Sequence, residues 1–316
     1  MNLRLLLTGS ILLAPALSAQ GLPLHQPLNP TSTTRSGLYA QPFRGFDPRH
    51  AWRAAVSFEY GNAIESDTHG TSSYLLDAEI MRTGLSLSRN LGTRGFLDLG
   101  VFATGTYAGF ADGFFEWYHR LIRYRHPERA ARPRNQFAYH FSLPDGTVID
   151  RTPSGLALGD ARATVGLRFG QSLQSAISLT LPTGTGGLGR GVPSVSAVQT
   201  VHQELSSRVF YEGTFGLGLT PRHGDLAAWQ RTRFASASTG FGFRLWGGQS
   251  VYGSFFWHSP YYHDTGLRSL DRHELTADFG WLARGRDGRD WHIGLTEDLG
   301  PGDAGIDLIL SVGRTF

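Results

Sequence analysis

The chain has 316 residues, which is enough for two ordinary domains or for one large all-β domain. It contains no cysteine, and this excludes disulfides, thiol catalysis and Cys-based zinc sites. The formal net charge is only +3 and no DNA- or RNA-binding motif stands out, so no nucleic-acid partner is expected. Glycine and aromatic residues are abundant, which is typical of strands and tight turns.

The first segment, residues 1–19, has the pattern of a secretory signal peptide. Arg4 supplies the positive charge, the residues from Leu5 to Leu17 form the apolar stretch, and Ala19 is a small residue at the expected cleavage site. The apolar stretch is too short and too interrupted for an uncleaved membrane anchor. We therefore expect the protein to be exported from the cytoplasm.

Residues 20–49 are rich in Pro, Ser, Thr and Gly and show little periodicity. They are predicted to form an extended periplasmic arm. The sequence leaves open whether this arm plugs the lumen of the barrel that is predicted from the segments after it.

From residue 51 onward, apolar residues alternate with polar or small ones, which is the period of a β-strand. The alternation slips near residues 81–83, where a β-bulge is expected. Counting the alternating segments predicts about twelve strands, an even number as in bacterial barrels. The predicted strands are 51–61, 74–90, 94–106, 158–170, 174–182, 192–202, 205–219, 230–246, 249–258, 272–284, 290–299 and 304–316.

The connections between these strands indicate the architecture. Every second connection is tight, whereas the alternate ones are mostly longer, and the longest is 107–157. Short turns at one end and long loops at the other are typical of outer-membrane barrels, whose short turns are periplasmic. The predicted fold class is therefore all-β: an antiparallel transmembrane outer-membrane β-barrel of about 12 strands over residues 50–316, in the outer membrane of a Gram-negative bacterium.

The last strand ends in an aromatic residue, Phe316, and resembles the assembly signal that the barrel-assembly machinery reads in outer-membrane proteins. Arg314 departs from that pattern because it lies on the apolar face of the strand. A long arginine side chain near the membrane interface can extend its charge into water, so the cost is small.

The strand faces that point into the predicted lumen carry charges of both signs. One interpretation is a structural network of ion pairs, since buried charges must be paired. The other is a polar path for a small solute, and the two are compatible. These residues are Arg53, Glu59, Asp98, Asp160, Arg162, Arg168, Arg208, Glu212, Glu274, Asp278 and Arg284.

The external connection 107–157 contains an amphipathic helix within GFADGFFEWYHRLI. Asp112 lies where an N-cap would lie, and Asp112, Glu116 and His119 share one face. A Glu-x-x-His metal site would need a second such motif, which the sequence lacks, so no metal or cofactor is expected. Catalysis would need a nucleophile motif, which is also absent. We predict that this face bonds lumen residues. The apolar face has three possible places: inside the barrel mouth, over a ligand pocket, or on the outer leaflet.

A basic segment follows the helix, RYRHPERAARPR at residues 123–134. It is either a solvated loop or a segment that attracts lipopolysaccharide phosphates outside the cell. Outer-membrane lipids and lipopolysaccharide are therefore expected partners.

Three motifs resemble the domain-of-unknown-function family 3187, most clearly over residues 70–190. They are a G-x-x-D-x-x-x-E-x-x-H helix, an L-G-D strand start and an L-P-T-G strand end. The residues concerned are Gly109, Asp112, Glu116 and His119, then Leu158, Gly159 and Asp160, then Leu181, Pro182, Thr183 and Gly184. The resemblance implies an outer-membrane β-barrel and singles out the helix, and it implies no activity.

The sequence thus predicts a channel for small or hydrophobic solutes, gated by the helical loop, and not an enzyme. One alternative is a lipid-modifying outer-membrane hydrolase that uses His119 with an acid, and another is a closed structural or adhesion barrel. The lumen and gate candidates are Asp112, Glu116, His119, Asp160, Arg162, Arg168, Glu274 and Asp278.

Overall fold

The computed structural model describes residues 21–23, 27–29, 42–46, 51–123, 129, 131–185, 189–285, 289–299 and 308–316. The predicted signal peptide, 1–19, and much of the predicted arm lie outside the described residues. Neither helix in this part of the chain is long and apolar enough to cross a bilayer.

Fifteen strands and two α-helices follow each other in the described part of the chain. The strands are β1 Trp52–His69, β2 Ser72–Leu91, β3 Gly95–Tyr107, β4 Ala138–Ser142, β5 Val148–Asp150, β6 Ala157–Leu158, β7 Ala161–Phe169, β8 Leu173–Leu181, β9 Ser194–Glu204, β10 Val209–Leu219, β11 Arg233–Arg244, β12 Gln249–His258, β13 Glu274–Arg284, β14 Asp290–Asp298 and β15 Leu308–Thr315. The helices are α1 Asp112–Leu121 and α2 Arg268–Asp271, and a 3-10 turn covers Ala227–Trp229.

Twelve of the described strands close into an antiparallel barrel, which confirms the predicted fold class. Each of the twelve pairs with its neighbour in the chain order β1-β2-β3-β7 and then β8 to β15. The barrel closes because β15 pairs with β1, from Ala55↔Thr315 to Asn62↔Leu308. Closure satisfies the backbone hydrogen bonds that an open sheet edge would expose to lipid.

The first two strands differ from the prediction. They pair without interruption from Trp52↔Arg89 to His69↔Ser72, so the expected bulge near 81–83 is absent and the expected loop at 62–73 is mostly strand. The physical reason is that the outer parts of β1 and β2 are buried on both faces, as Ile64 and Leu76 show. Alternation is lost where neither face meets lipid or water, although the strand continues.

Below that extension, side chains alternate between lipid and lumen. Val56, Phe58 and Leu85 point outward and are exposed, whereas Glu59 and Arg82 point inward and pair with each other. An outward apolar face with a polar interior is the pattern of membrane barrels. The parity of a residue along its strand therefore tells on which side of the wall its side chain lies.

An apolar cluster lies at the end of the barrel that carries the long connections. The hairpin β4–β5 pairs with the outer part of β2, from Ser73↔Ser142 to Asp77↔Ala138, and contributes to the cluster, which we call the lid. The segment between β12 and β13 joins the lid and is tied to the β1–β2 turn by the bond from Ser72 Oγ to the Thr265 oxygen, 3.1 Å. The lid residues are Tyr139, Phe141, Leu143, Ile149, Tyr261, Tyr262, Leu267 and Leu270. They pack on the inward side chains of β2, so the lid covers this mouth of the barrel.

Candidate functional site: the lumen and its arm

The described segments of the N-terminal arm lie inside the barrel. Glu212 on β10 accepts hydrogen bonds from the Leu22 amide at 3.3 Å and from the Phe43 amide at 3.1 Å. Leu22 also belongs to a small buried cluster with the inward-facing Phe210. One carboxylate of the wall thus holds two separate parts of the arm, because a charged acceptor satisfies amides that have no strand partner.

A second group of contacts holds the arm from the nearby strands β8, β7 and β3. Gln174 on β8 accepts the Arg44 amide at 2.8 Å and donates to the Pro42 carbonyl at 2.8 Å. The guanidinium of Arg168 donates to the Arg44 carbonyl oxygen. The side chain of Arg44 lies 3.4 Å from Asp98, measured from Nε to Oδ2. The arm is therefore bound mainly through its backbone.

The middle of the arm reaches up to the lid. Arg82 donates to the Pro27 carbonyl at 2.7 Å, and Asn29 donates to Glu65 at 2.6 Å. Leu28 is fully buried and belongs to the same apolar cluster as the lid. Its place depends on Gly61 of β1, because a Cβ there would lie 3.0 Å from Leu28 Cδ2. The arm thus contacts both the polar lumen and the underside of the lid.

Cavities border the described segments of the arm, and two of them exceed 100 Å³. The larger has a volume of about 180 Å³ and is lined by charges of both signs, including Arg82, Arg162, Glu59 and Asp278. The smaller, about 120 Å³, lies toward the short-turn end beside Arg53 and others. The lumen therefore holds space for water or a small polar molecule next to the arm.

Three predicted site residues line the lumen as expected from their strand parity. Arg162 and Asp278 border the larger cavity. Arg168 donates to the side-chain oxygen of Asn90 at 2.8 Å as well as to the arm. The network interpretation and the solute-path interpretation both apply to these residues, since they are bonded and border open space.

Two other predicted residues organise the long-loop end. Asp160 accepts the Gly184 amide and the Arg190 amide, each at 2.8 Å, and so fixes the connection between β8 and β9. Glu274 accepts the Tyr261 hydroxyl at 2.5 Å and ties the lid to β13. Their contacts are those of structural residues at the rim.

The polar face of α1 lies against the outside of the wall, and the prediction that it faces the lumen is wrong. Asn62 donates to Asp112 at 2.6 Å, and the His119 Nε2 lies 3.3 Å from Glu297 Oε1. Asn62 shares its strand face with the outward Phe58, and Glu297 shares its face with outward residues of β14. Amphipathicity predicts a polar face, but it does not tell on which side of a wall the polar partners lie.

Glu116 is placed differently from its two companions. It bonds the guanidinium of Arg134 through both carboxylate oxygens, one of them at 3.0 Å from Nε. This hydrogen bond and the positive charge hold the pKa of Glu116 below its usual range. Glu116 therefore fixes the chain after α1 and does not reach the lumen.

Glu79 holds the start of α1 and was not predicted from the sequence. It accepts the amides of Phe110 at 2.9 Å and Ala111 at 2.6 Å, so a carboxylate of β2 satisfies amides at the start of α1. Asp112 is the first helical residue and makes no cap bond, contrary to the N-cap prediction. Gly109 has φ +82, and a Cβ there would lie 2.0 Å from Glu79 Cδ. The sequence feature that could have identified Glu79 is a pair of acids, Asp77 and Glu79, at two successive outward positions of β2, where apolar lipid-facing residues are expected.

Residues 50–316 match the model of the family described as "Protein of unknown function (DUF3187)". The chain belongs to this family. The match confirms the resemblance and extends well beyond the region 70–190. Two of the family motifs meet in space, because the L-G-D aspartate, Asp160, bonds the glycine of L-P-T-G, Gly184.

Solved structures share the fold at low sequence identity. An outer membrane channel from Pseudomonas putida F1 has a TM-score of 0.54 and 12% identity, over 85% of this chain and 98% of that chain. The NanC porin has a TM-score of 0.47 and 6% identity, over 84% and 99%. The CymD monoaromatic hydrocarbon channel has a TM-score of 0.41 and 8% identity, over 84% and 88%. No curated protein matches the chain at a significant level. The first likeness establishes the fold of an outer-membrane barrel.

Proposed function

We propose that the protein is an outer-membrane channel for a small solute, and that the arm and the lid close it. The observation that carries the proposal is the arm inside the lumen, bound through backbone groups to Glu212 and Gln174. Water can replace such hydrogen bonds, since a bond between neutral groups contributes about 1 kcal/mol net and a bond to a charged group about 1.5–3 kcal/mol. Withdrawal of the arm would leave a lumen lined with polar and charged side chains.

The lid is the second closure. It is apolar and packed on β2, so it restricts entry from the long-loop end in addition to the arm. Leu28 joins the two closures because the arm fills space beneath the lid. We therefore expect removal of the arm to loosen the lid as well, since a cavity under packed side chains costs stability.

The charges that border the larger cavity favour a small polar solute without a strong net charge. Rings of a single sign select ions of the opposite sign. Here Arg82 pairs with Glu59 and Arg44 pairs with Asp98 beside the same cavity. A solute with both kinds of group would find partners for each.

The position of α1 argues against the earlier gate and hydrolase hypotheses. α1 lies outside the wall, so its removal is not expected to widen the passage. His119 is 4% exposed and lies between the helix and Glu297, where a substrate has no access. These contacts favour a structural role for His119. A general base must come within hydrogen-bond reach of its substrate, and burial prevents this for His119.

Conductance in planar bilayers tests the channel proposal. Three variants are compared with the mature chain: one lacking residues 20–46, one with residues 138–150 replaced by a short Gly-Ser linker, and one with both changes. We expect rare openings of the mature chain, more with either change, and a steady conductance with both. Heat-modifiable gel migration serves as the control for folding. A folded double variant without conductance would contradict the channel and favour a closed structural barrel.

A further inference from the structure

Helix α1 crosses the strands of the outer wall. Its start is bonded to Glu79 on β2, and His119 near its end is bonded to Glu297 on β14. These strands are three strand spacings apart, which is about 14 Å. The nine residues from Ala111 to His119 are separated by eight helical steps of 1.5 Å and so span about 12 Å. The agreement of the two lengths shows that α1 runs across the strands along the outside of the barrel.

The side of α1 that faces the wall is fixed by buried polar bonds. Arg129 lies 3.1 Å from Asp77 and 3.1 Å from Asp112, and all three side chains are buried. The direct partners of Glu297 on its two neighbouring strands, Ala277 and Leu308, point outward and are nevertheless fully buried. α1 is therefore a firmly held part of the outer surface.

The opposite side of α1 is apolar and exposed. Phe110 is 80% exposed, and its ring lies 5.7 Å from that of Tyr60, which continues the outward row of Phe58. The apolar surface of the helix thus extends the lipid-facing surface of the barrel toward the long-loop end. The exposed apolar side chains are Phe110, Phe114, Trp117, Leu121 and Ile122. Such a face belongs in the boundary between acyl chains and headgroups.

Arginines border this apolar face. The side chains of Arg120 and Arg134 are 64% and 57% exposed, and Arg123 is exposed directly after the helix. Glu116 neutralises part of this charge through its bonds to two of them. The remaining charge is positive and lies where lipid headgroups meet the helix.

We propose that the surface formed by α1 and these arginines binds a phosphate-bearing glycolipid of the outer leaflet. The apolar side chains would contact its acyl chains, and Arg120 and Arg123 its phosphates, because a planar guanidinium matches phosphate oxygens. The proposal rests on the outer-membrane location in the proposed function. It does not require the barrel to conduct.

Native mass spectrometry of the purified, full-length mature protein tests this site, with lipid A and its dephosphorylated form as probes. We expect one lipid A to be retained in preference to the dephosphorylated form. The variant Arg120→Gln/Arg123→Gln should bind lipid A about 30-fold more weakly, since each arginine near an anionic surface contributes roughly fivefold. Trp117→Ser/Leu121→Ser should weaken binding of both probes.

The matched control is Arg233→Gln/Arg268→Gln, which removes two exposed arginines that belong to other elements, β11 and α2. It should bind lipid A as the natural chain does. Equal binding by the natural chain and Arg120→Gln/Arg123→Gln, or an equal loss in the control, would overturn the proposal. Conductance measured in phosphatidylcholine bilayers reports on the channel separately, so failure of one proposal is distinguishable from failure of the other.

Discussion

The wall of this barrel binds a non-strand segment on each side, and the two segments are held differently. Inside, the buried side chains of Glu212 and Gln174 bind neutral backbone groups of the arm. Outside, Asp77 and Asp112 bind the charged Arg129 in a buried cluster. A hydrogen bond between a charged and a neutral group contributes about 1.5–3 kcal/mol, whereas breaking a buried ion pair costs about 3–5 kcal/mol.

Chain connectivity adds to this difference. Among the described residues, the arm joins a barrel strand only at β1, which begins at Trp52. α1 lies within the connection between β3 and β7 and is tethered at both ends. A segment held at one end gains more conformational entropy on release than one that stays closed in a loop. The comparison indicates that the inner segment is the movable one and that the outer helix is a permanent part of the wall.

The largest expected effect concerns the outer cluster. Asp77→Ala removes the partner of Arg129 and of Arg132, whose Nε lies 2.7 Å from Asp77 Oδ2. Removing one partner of a buried ion pair destabilises a protein by about 3–5 kcal/mol, and we expect the lower end of that range because Asp112 still pairs with Arg129. Urea unfolding in lipid vesicles should show this loss, together with faster protease cleavage around α1. An unchanged urea midpoint would show that the outer helix is held no more firmly than the arm.

An intermediate effect is expected for the inner segment. Glu212→Ala removes a charged acceptor from two arm amides, and hydrogen bonds to charged groups contribute about 1.5–3 kcal/mol. The open probability in planar bilayers should rise by about tenfold or more, while the barrel stays folded. Glu204→Ala is the matched control. Glu204 and Glu212 both bond His202, but the other partner of Glu204 is Arg244 at the short-turn end, and not the arm. Equal opening by both variants would argue against a specific role for the arm contact.

The smallest effect is expected for Glu116. Its pKa is lowered in the folded protein, mainly by the hydrogen bond from Arg134. Its contribution to stability is therefore present above the ordinary carboxyl pKa and is lost as the pH falls through the lowered value. Glu116→Gln should be slightly less stable than the natural chain at pH 7, and the difference should shrink as the pH is lowered below the ordinary carboxyl pKa and at high salt. A difference that does not shrink on acidification would assign the effect to packing.

The strand pattern was predictable because one face of each strand meets lipid. Alternation predicted twelve strands and the inward positions of Arg162, Arg168 and Asp278, which border the lumen or the arm. It failed over the outer parts of β1 and β2, where both faces are covered. It also missed the lid hairpin β4–β5, because strands of five and three residues are too short to show a period.

The site was only partly predictable for a related reason. The arm has no periodicity, so its place in the lumen depends on tertiary contacts such as those of Gln174. The polar face of α1 was recognisable, but its partners Asn62 and Glu297 lie in outward rows that the sequence assigns to lipid. Polar residues in such rows near the long-loop end are the signal that a segment covers the wall from outside.

The most direct test of the central claim is a cross-link between the arm and the inner wall. The chain has no cysteine, so Leu28→Cys with Gly61→Cys gives a single possible disulfide. Cβ of residue 61 would lie 3.0 Å from Leu28 Cδ2, so the two positions are in direct contact between the arm and the wall. The control, Leu28→Cys with Val56→Cys, places one thiol on the outward face. Mild oxidation of isolated membranes followed by peptide mass spectrometry should detect the disulfide in the first variant and not in the control. No disulfide in the folded first variant, or equal amounts in both, would contradict an arm that occupies the lumen.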